Sequence, residues 1–543
     1  MMTTLKDRMA LVAEAFEPIE GWYPLEVQIE ITYDCTLRCA MCYNGVRANE
    51  RKFEDYLKEC DFSSMDEEKR NKLYHVVDIC LESGAKFFTI TGGEPLLYMD
   101  VVLELIKKIK EHGCYASINS NATTIDDSAA KRLKEAGLDS ALISIHGADE
   151  KTHAKTVSVN DVFELTIKGI KALINNGIHV VPNFVASHIN SDKLYETGVM
   201  LYDMGMKRQA YSMFIPTPGN EEHDVLKLTF NDTKMYFEQL NKLNTEYPNL
   251  HATATLPVPP CLSKGVVAPE VLEKFEFRTC PSGRQFMVVN ADGNVSPCIQ
   301  YAWNETRGSN ILNKSATEVA KKLSLWKRLF ATPKKCFDCD CKGFCNPCNM
   351  NILKENDGVL SASSTPYPEH QGLTAGEATS FKKKFEIPFS NFEKPNVNQP
   401  YKFKDNVIFR KETAGHLTII NPRIQGYTVI KDQTRIFNDL DEVLQSHDLF
   451  FSSEDKFFFL FKAMDAIEPS ERRSKTMTFS ANIEMTPKFK ILTEFIGFNF
   501  NNPDAVYCTR TDTAGRFFCL ANTMDEQAIY DEARAVYMEY LEI

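Results

Sequence analysis

Cys35, Cys39 and Cys42 lie in the string Cys35-Thr-Leu-Arg-Cys39-Ala-Met-Cys42-Tyr43. Such a C-x3-C-x2-C loop supplies three thiolates, whereas a cubane [4Fe–4S] cluster and a closed zinc site each need four ligands. One metal corner is then left for something other than protein. Some fifty residues on stands Gly92-Gly93-Glu94-Pro95, whose glycines let the backbone come close to a ligand. Glu94 places a carboxylate where a cationic amino group could dock. Alone, the first motif could be a zinc knuckle and the second an ordinary turn. In this order they point to a metal cluster with a small molecule beside it.

Both motifs follow strands. Glu26-Val-Gln-Ile-Glu-Ile-Thr32 alternates apolar and polar residues up to the cysteine loop, and Lys86-Phe-Phe-Thr-Ile-Thr91 runs directly into the glycines. Four more strand signals follow, at 114–120, 139–145, 179–185 and 209–215. Amphipathic segments near 66–83, 100–112, 126–136, 161–176 and 191–205 separate the strands. Six strands joined by helical crossovers imply a parallel sheet covered by helices, an α/β fold.

The two motifs together closely resemble the radical S-adenosylmethionine (SAM) enzymes. The resemblance implies a partial (β/α)6 TIM-like barrel, with the chemistry at the carboxyl ends of the strands. It also implies that the open iron of a [4Fe–4S] cluster on Cys35, Cys39 and Cys42 chelates SAM. Cleavage of SAM then releases a 5′-deoxyadenosyl radical that abstracts a substrate hydrogen. By the same resemblance, Gly92, Gly93, Glu94 and Pro95 hold the SAM ammonium, and Met41 shields the cluster and contacts adenine. Ser120, Asn121, Ser144 and Asn183 are placed to face SAM, although each also suits a satisfied polar turn. An Arg that often binds the SAM carboxylate is replaced here by Lys155, in Thr152-His-Ala-Lys155. Tyr211 and His146 lie near strand ends, where core packing explains them equally well.

The chain has sixteen cysteines, and eight of them fall between Cys261 and Cys348, so they read as metal ligands and not as scattered core residues. Cys280 precedes Ala291-Asp-Gly-Asn-Val-Ser-Pro-Cys298, where Asp-Gly suits a tight hairpin. Then comes Cys336-Phe-Asp-Cys339-Asp-Cys341-Lys-Gly-Phe-Cys345-Asn-Pro-Cys348. This pattern resembles the SPASM-type extension, which binds two auxiliary [4Fe–4S] clusters. On that resemblance Cys336, Cys339, Cys341 and Cys345 hold one cluster. Cys280, Cys298 and Cys348 hold the other, with Cys261 as candidate fourth ligand. If Cys261 does not ligate, that cluster keeps an open iron for a substrate thiolate. A pair of zinc sites is the alternative.

After Cys348 a proline- and serine-rich stretch, 352–400, reads as a linker. Three short strand signals follow within 401–430, then helical ones at 432–444 and 455–467. With Asn421-Pro-Arg ahead of a Gly-Tyr strand, 401–470 resembles the winged-helix-like domain of the pyrroloquinoline quinone peptide-chaperone type. Such domains capture leader peptides by adding a strand to a sheet edge. The expected organisation is an N-terminal helical segment (1–25), the barrel (26–220), a connecting helical segment (221–258) and the SPASM-type domain (259–351). The linker, the winged-helix-like α+β domain and a C-terminal region of unread role (471–543), with a helix expected over 525–541, complete it.

At 543 residues the chain has room for two to four domains, and 43% hydrophobic with 25% charged residues marks an ordinary globular protein. A net charge of −12 argues against nucleic acid as a general partner. The N-terminal segment has no apolar signal-peptide core, and no apolar run reaches membrane-spanning length, so a cytoplasmic protein is expected. SPASM-bearing radical SAM enzymes mostly modify peptides or proteins. The reading is therefore a peptide maturase that forms a thioether or carbon-based crosslink in a ribosomally made, leader-bearing precursor. Its electron donor would be a flavodoxin or ferredoxin. The alternatives are sulfatase-maturase-like oxidation of a Ser or Cys in a protein, and a non-catalytic iron–sulfur scaffold.

Overall fold

The computed structural model describes residues 26–44, 51–52, 65–216, most of 221–272, 286–301, 309–315, segments between 386 and 508, and a few isolated positions. A single ten-stranded sheet organises the first three hundred residues. Its strands are β1 (Glu26–Thr32), β2 (Phe87–Gly92), β3 (Tyr115–Ser120), β4 (Ser140–Ser144), β5 (His179–Ala186), β6 (Arg208–Met213), β7 (His251–Ala254), β8 (Phe286–Asn290), β9 (Asn294–Ser296) and β10 (Ser309–Asn310). In space the order is β10-β9-β8-β1-β2-β3-β4-β5-β6-β7. Every pairing from β8 through β1 to β7 is parallel, whereas β9 and β10 fold back as an antiparallel extension.

The six expected strands are thus present and in sequence order. Two features go beyond them. β7 extends one edge, and β8 pairs with the other edge, beside β1, in the register Glu26↔Phe286 to Glu30↔Asn290. The first strand of the cysteine-rich segment is therefore continuous with the barrel sheet.

Seven helices are central to the packing: α1 (Glu67–Glu82), α2 (Met99–Glu111), α3 (Asp127–Ala136), α4 (Glu150–Val157), α5 (Phe163–Asn175), α6 (Leu194–Asp203) and α7 (Phe230–Glu246). Local chemistry sets their ends. The Asp66, Asp126 and Asp149 side chains accept N–H groups of the first turns of α1, α3 and α4, and Thr229 with Asp232 makes a capping box on α7. Gly137 closes α3 in the left-handed region, φ 97°. Helix α4 was not expected from apolar periodicity; its signal is the Asp149 cap.

Strand alternation decides what each face does. On β1, Val27, Ile29 and Ile31 are fully buried in one core with Leu73, Val76 and Val77 of α1 and Ile106 of α2. Ala116 and Ile118 of β3 and Ala141 and Ile143 of β4 join the same core. A second core gathers Phe184, Tyr211 and Ala252 of β5–β7 against Tyr236, Phe237 and Leu240 of α7. The opposite face of the sheet carries Gln28, Glu30, Thr89, Thr91, Ser117, Asn119, Ser144, Asn183 and Ser212. Strands of a parallel sheet buried on both faces read as continuous apolar runs. Here they alternate, because the helices cover one face and the other is a polar interior.

Beyond residue 386 three small sheets are described. One is an antiparallel meander of Ile408–Lys411, His416–Asn421 and Gly426–Lys431, which takes up most of the expected three-strand pattern. Tyr401–Phe403 belongs to a separate four-stranded sheet with Asp448–Phe450, Ile467–Pro469 and Thr476–Thr478. The expected second helix is present as Lys456–Ala463, and its phenylalanines Phe457 to Phe459 and Phe461 are buried with Tyr401, Phe403 and Phe451. Fully buried Asn421 donates to the Met464 and Asp465 carbonyls, so the meander is stapled to the end of this helix. The helices expected over 432–444 and 525–541, and the N-terminal helical segment, lie outside the described residues.

Candidate functional site

The cysteine loop leaves β1 and is folded back by its own side chains. Arg38 Nη1 donates to the Cys35 and Leu37 carbonyls at 2.7 and 2.8 Å. The Arg38 and Ala40 N–H groups donate to Val157 and Thr156 carbonyls at the end of α4, both at 3.0 Å. Leu37 packs with Val157, Val159 and Val162, and Cys35 and Cys39 lie against this small cluster. The loop is thus pinned from below by α4.

Its other wall is the Gly-Gly-Glu-Pro turn. Gly93 N–H donates to Thr32 O and Glu94 N–H to Asp34 O, each at 2.7 Å. A Cβ on Gly92 would fall 2.1 Å from Thr32 O, and one on Gly93 2.0 Å from Asp34 O. Gly92 also has φ 131°, which a side chain disfavours. Both glycines are therefore required by the approach of the two backbones themselves. Asn44, just past the cysteines, donates to Gly92 O at 3.0 Å and ties the far end of the loop to the same turn.

Glu94 is fully buried. Its Oε1 accepts from Leu96 N and Ser120 Oγ, at 3.1 and 2.9 Å, and its Oε2 from Asn121 N at 2.8 Å. The carboxylate thus brackets the ends of β2 and β3, with its spare acceptor capacity on Oε2. Burial pushes its pKa up to about 7 against these hydrogen bonds. Asn121 donates to Thr36 Oγ1 at 3.1 Å, with its Nδ2 3.9 Å from Cys35 Sγ, and its Oδ1 accepts from Thr123. Ser120 and Asn121 therefore build the wall behind Cys35. Pro95 opens the short turn over Pro95–Tyr98, and Met41 is half-buried in the loop.

The donor set fits the cluster. Desolvation, with the neighbouring charges of Glu94 and Cys42, pushes the Cys35 thiol up to about 12, and burial beside Cys35 and Cys42 raises Cys39 well above its ordinary value. Three thiols held this close resist ionising without a positive partner, and the irons of a cubane supply one. Among the described residues no three His, Cys, Asp or Glu side chains converge on a point for one ion. Cluster thiolates each bind a different iron and need no such point.

The remaining expected residues are more dispersed. Ser144 ends β4 opposite Asn183 of β5, and Asn183 Oδ1 accepts from Ser212 Oγ at 3.0 Å, giving a polar row across the strand ends. Lys155 is exposed on α4 and donates to Ile189 O at 3.3 Å. Tyr211 is buried and donates to Gln209 Oε1, a core role. His146 and His153 are buried with stacked rings 6.1 Å apart, each Nδ1 accepting a backbone N–H, from Val185 and His146 respectively. Cys298 follows β9 and Cys261 sits in the Pro260–Ser263 turn, both half-buried. Cys280, Cys336, Cys339, Cys341, Cys345 and Cys348 lie outside the described residues. Sequence reasoning missed Arg38, Thr36 and Asn44. Of these, Arg38 had a signal, as the cation inside the cysteine loop.

Gly93→Ala forces the Asp34 backbone away and should destabilise the fold by more than ~2 kcal/mol and abolish iron binding. Gly113→Ala, with open space around its Cβ, should cost only about 1–2 kcal/mol and keep the iron; melting curves and iron assays decide. Burial lowers His146 to about 3 and His153 to about 4, from an ordinary 6.5. The unfolded chain then binds protons that the folded chain refuses, so their contribution to stability is complete above pH 6.5 and falls away toward pH 4. In His153→Gln the decline of melting temperature across that window should be shallower than in the unsubstituted protein.

Comparison with known proteins agrees with this site. Residues 29–197 match the family model of the Radical SAM superfamily. A probable GTP 3′,8-cyclase of Pyrococcus abyssi is 31% identical over 172 residues, which cover 31% of this chain and only half of that protein's length. An AdoMet-dependent heme synthase of Methanosarcina barkeri is 23% identical over 348 residues, 62% of this chain and 94% of the relative. Among solved structures, Streptococcus suis SuiB bound to S-adenosylmethionine superposes with a TM-score of 0.49 at 18% identity, covering 64% of this chain and 78% of SuiB. Residues 29–197 therefore form a radical SAM domain, whose cofactors are a [4Fe–4S] cluster and S-adenosylmethionine.

Proposed function

We propose that the protein matures a ribosomally made precursor peptide, joining two of its residues through a thioether or carbon-based crosslink. The observation that carries this reading is the place of the β8–β9 hairpin. It bears Cys298 and is hydrogen-bonded to β1, whose end bears the catalytic cysteines. An auxiliary cluster on Cys298 with Cys280, Cys348 and Cys261 would then stand on the same sheet as the catalytic one. The other cysteines, Cys336, Cys339, Cys341 and Cys345, would hold a second auxiliary cluster. The named relatives concern a nucleotide and a haem, so they do not choose the substrate.

Bound cluster and SAM supply a 5′-deoxyadenosyl radical that takes one hydrogen atom from the peptide. Crosslinking would release one further proton and one electron, and clusters held by the downstream cysteines, Cys298 among them, would be able to accept that electron. Cys35, Cys39 and Cys42 hold the catalytic cluster, while Gly92 to Pro95, Ser120 and Asn121 shape the SAM wall behind it. Ser144 and Asn183 orient groups at the strand ends, and Lys155 is the candidate partner of the SAM carboxylate. The Ile408–Lys431 meander would receive the leader at a sheet edge. A flavodoxin or ferredoxin would reduce the catalytic cluster, in the cytoplasm.

Anaerobic reconstitution tests the reading. Roughly twelve irons per chain are expected, falling to about eight when Cys35, Cys39 and Cys42 are all changed to Ala. About four falling to none would remove the auxiliary clusters and the reading with them. With reductant and SAM, a short peptide encoded beside the gene should lose one pair of hydrogens per crosslink by mass spectrometry.

A further inference from the structure

His188 follows β5 by two residues, at the same edge of the parallel sheet as the cysteine loop. Its side chain is 54% exposed, yet Nδ1 lies 2.8 Å from Oδ2 of Asp232, a buried residue of α7. Asp232 also takes the Thr229 N–H and hydroxyl on Oδ2, at 2.8 and 2.6 Å, and the Ser191 hydroxyl on Oδ1 at 2.7 Å. A carboxylate so surrounded by donors acts as an acceptor. His188 Nδ1 therefore carries a proton, and Nε2 keeps its lone pair. Nε2 has no partner among the described residues. The turn beneath the ring is fixed: His188 N donates to Leu226 O at 3.0 Å. Fully buried Asn190 accepts the Ser187 N–H at 2.8 Å and donates to Val185 O at 3.0 Å.

Helix α4 ties this turn to the catalytic loop. Its Thr156 and Val157 carbonyls accept the Ala40 and Arg38 N–H groups, while neighbouring Lys155 reaches the carbonyl of Ile189, the residue after His188, at 3.3 Å. Val225 and Phe230, 71% and 44% exposed, stand on the segments bonded to His188 and give this rim an apolar surface. We infer that His188, oriented by Asp232, is a catalytic residue that takes the proton of a substrate cysteine thiol. The inference rests on the peptide-crosslinking reading and on its thioether branch. A thiol, with an ordinary pKa of about 8.5, is acidic enough to give its proton to an imidazole near neutral pH. The S–H bond breaks, an Nε2–H bond forms, and the electron pair stays on sulfur as a thiolate. Nothing is oxidised or reduced in this step. Asp232 balances the imidazolium charge, and the exposed ring passes the proton to water. The thiolate left behind is the nucleophilic form of sulfur.

The test uses the reconstituted full-length protein with reductant, SAM and the cysteine-bearing peptide encoded beside the gene. His188→Asn keeps an N–H donor for Asp232 but removes the base. Its kcat for crosslinking should fall roughly 100-fold or more with KM unchanged, while melting temperature and iron content stay those of the unsubstituted protein. His188→Ala should lose crosslinking and regain it in proportion to added imidazole, which a residue that merely braced the turn would not do. Crosslinking by His188→Asn at the unsubstituted rate would overturn the inference, as would a His188→Ala protein that imidazole does not revive. Should His188→Asn prove unstable, the imidazole response decides alone. A product that still forms when the peptide's cysteine is changed to Ser would also overturn it. If the unsubstituted protein makes no crosslink at all, the peptide reading falls and this inference with it, whereas the other outcomes strike the inference alone.

Discussion

The close approach of two backbones at the ends of β1 and β2 sets the geometry of the site. Thr32 O and Asp34 O each receive an N–H of the Gly93–Glu94 turn at 2.7 Å, at a separation that leaves no room for a Cβ on either glycine. This contact fixes the direction in which the chain leaves β1, and hence where Cys35 begins. Everything else at the site braces it: Glu94 draws in the end of β3, Asn121 backs Cys35, and Asn44 returns the loop to Gly92. The bracing is polar and buried, so it depends on every partner being present.

The sheet makes a polar interior possible. Helices on one face absorb the apolar residues of each strand, and the alternate residues are left free of any packing duty. Glu30, Thr91, Asn183 and Ser212 could not be afforded on a sheet buried by helices on both sides. The small sheets beyond residue 386 use another solution: aromatic side chains packed edge to face, with Asn421 fixing the meander to the neighbouring helix turn.

The local half of this structure was legible in the sequence. Strand alternation gave β1 to β6, amphipathic periodicity gave α1, α2, α3, α5 and α6, and the two motifs located the site. Pairing between distant segments was not legible: nothing in Phe286–Asn290 says that its partner is Glu26–Glu30, and the short β7 has no periodicity to find. Glu94 was read from its charge as facing a ligand, and the structure adds that its carboxylate also takes the Leu96 and Asn121 N–H groups and Ser120 Oγ, a choice of partners that no local pattern shows. That choice depends on where β3 ends, which only the assembled sheet fixes. Glu30 was taken simply as a polar strand position, because the Tyr33 hydroxyl it accepts from reaches it only once the chain has turned out of β1.

The pairing of β1 with β8 also has a history in the making of the chain. During synthesis β1 emerges first, and β2 soon covers one of its edges. Its other edge waits for Phe286–Asn290. At about 5–20 residues per second that interval lasts on the order of tens of seconds. Through it, a strand with three fully apolar positions presents an open edge to other nascent chains. Glu26 and Glu30, pointing off the same strand, put charge on that edge for as long as it is bare. The residues that line the finished interior thus also act as its guard against misassembly before the barrel is complete.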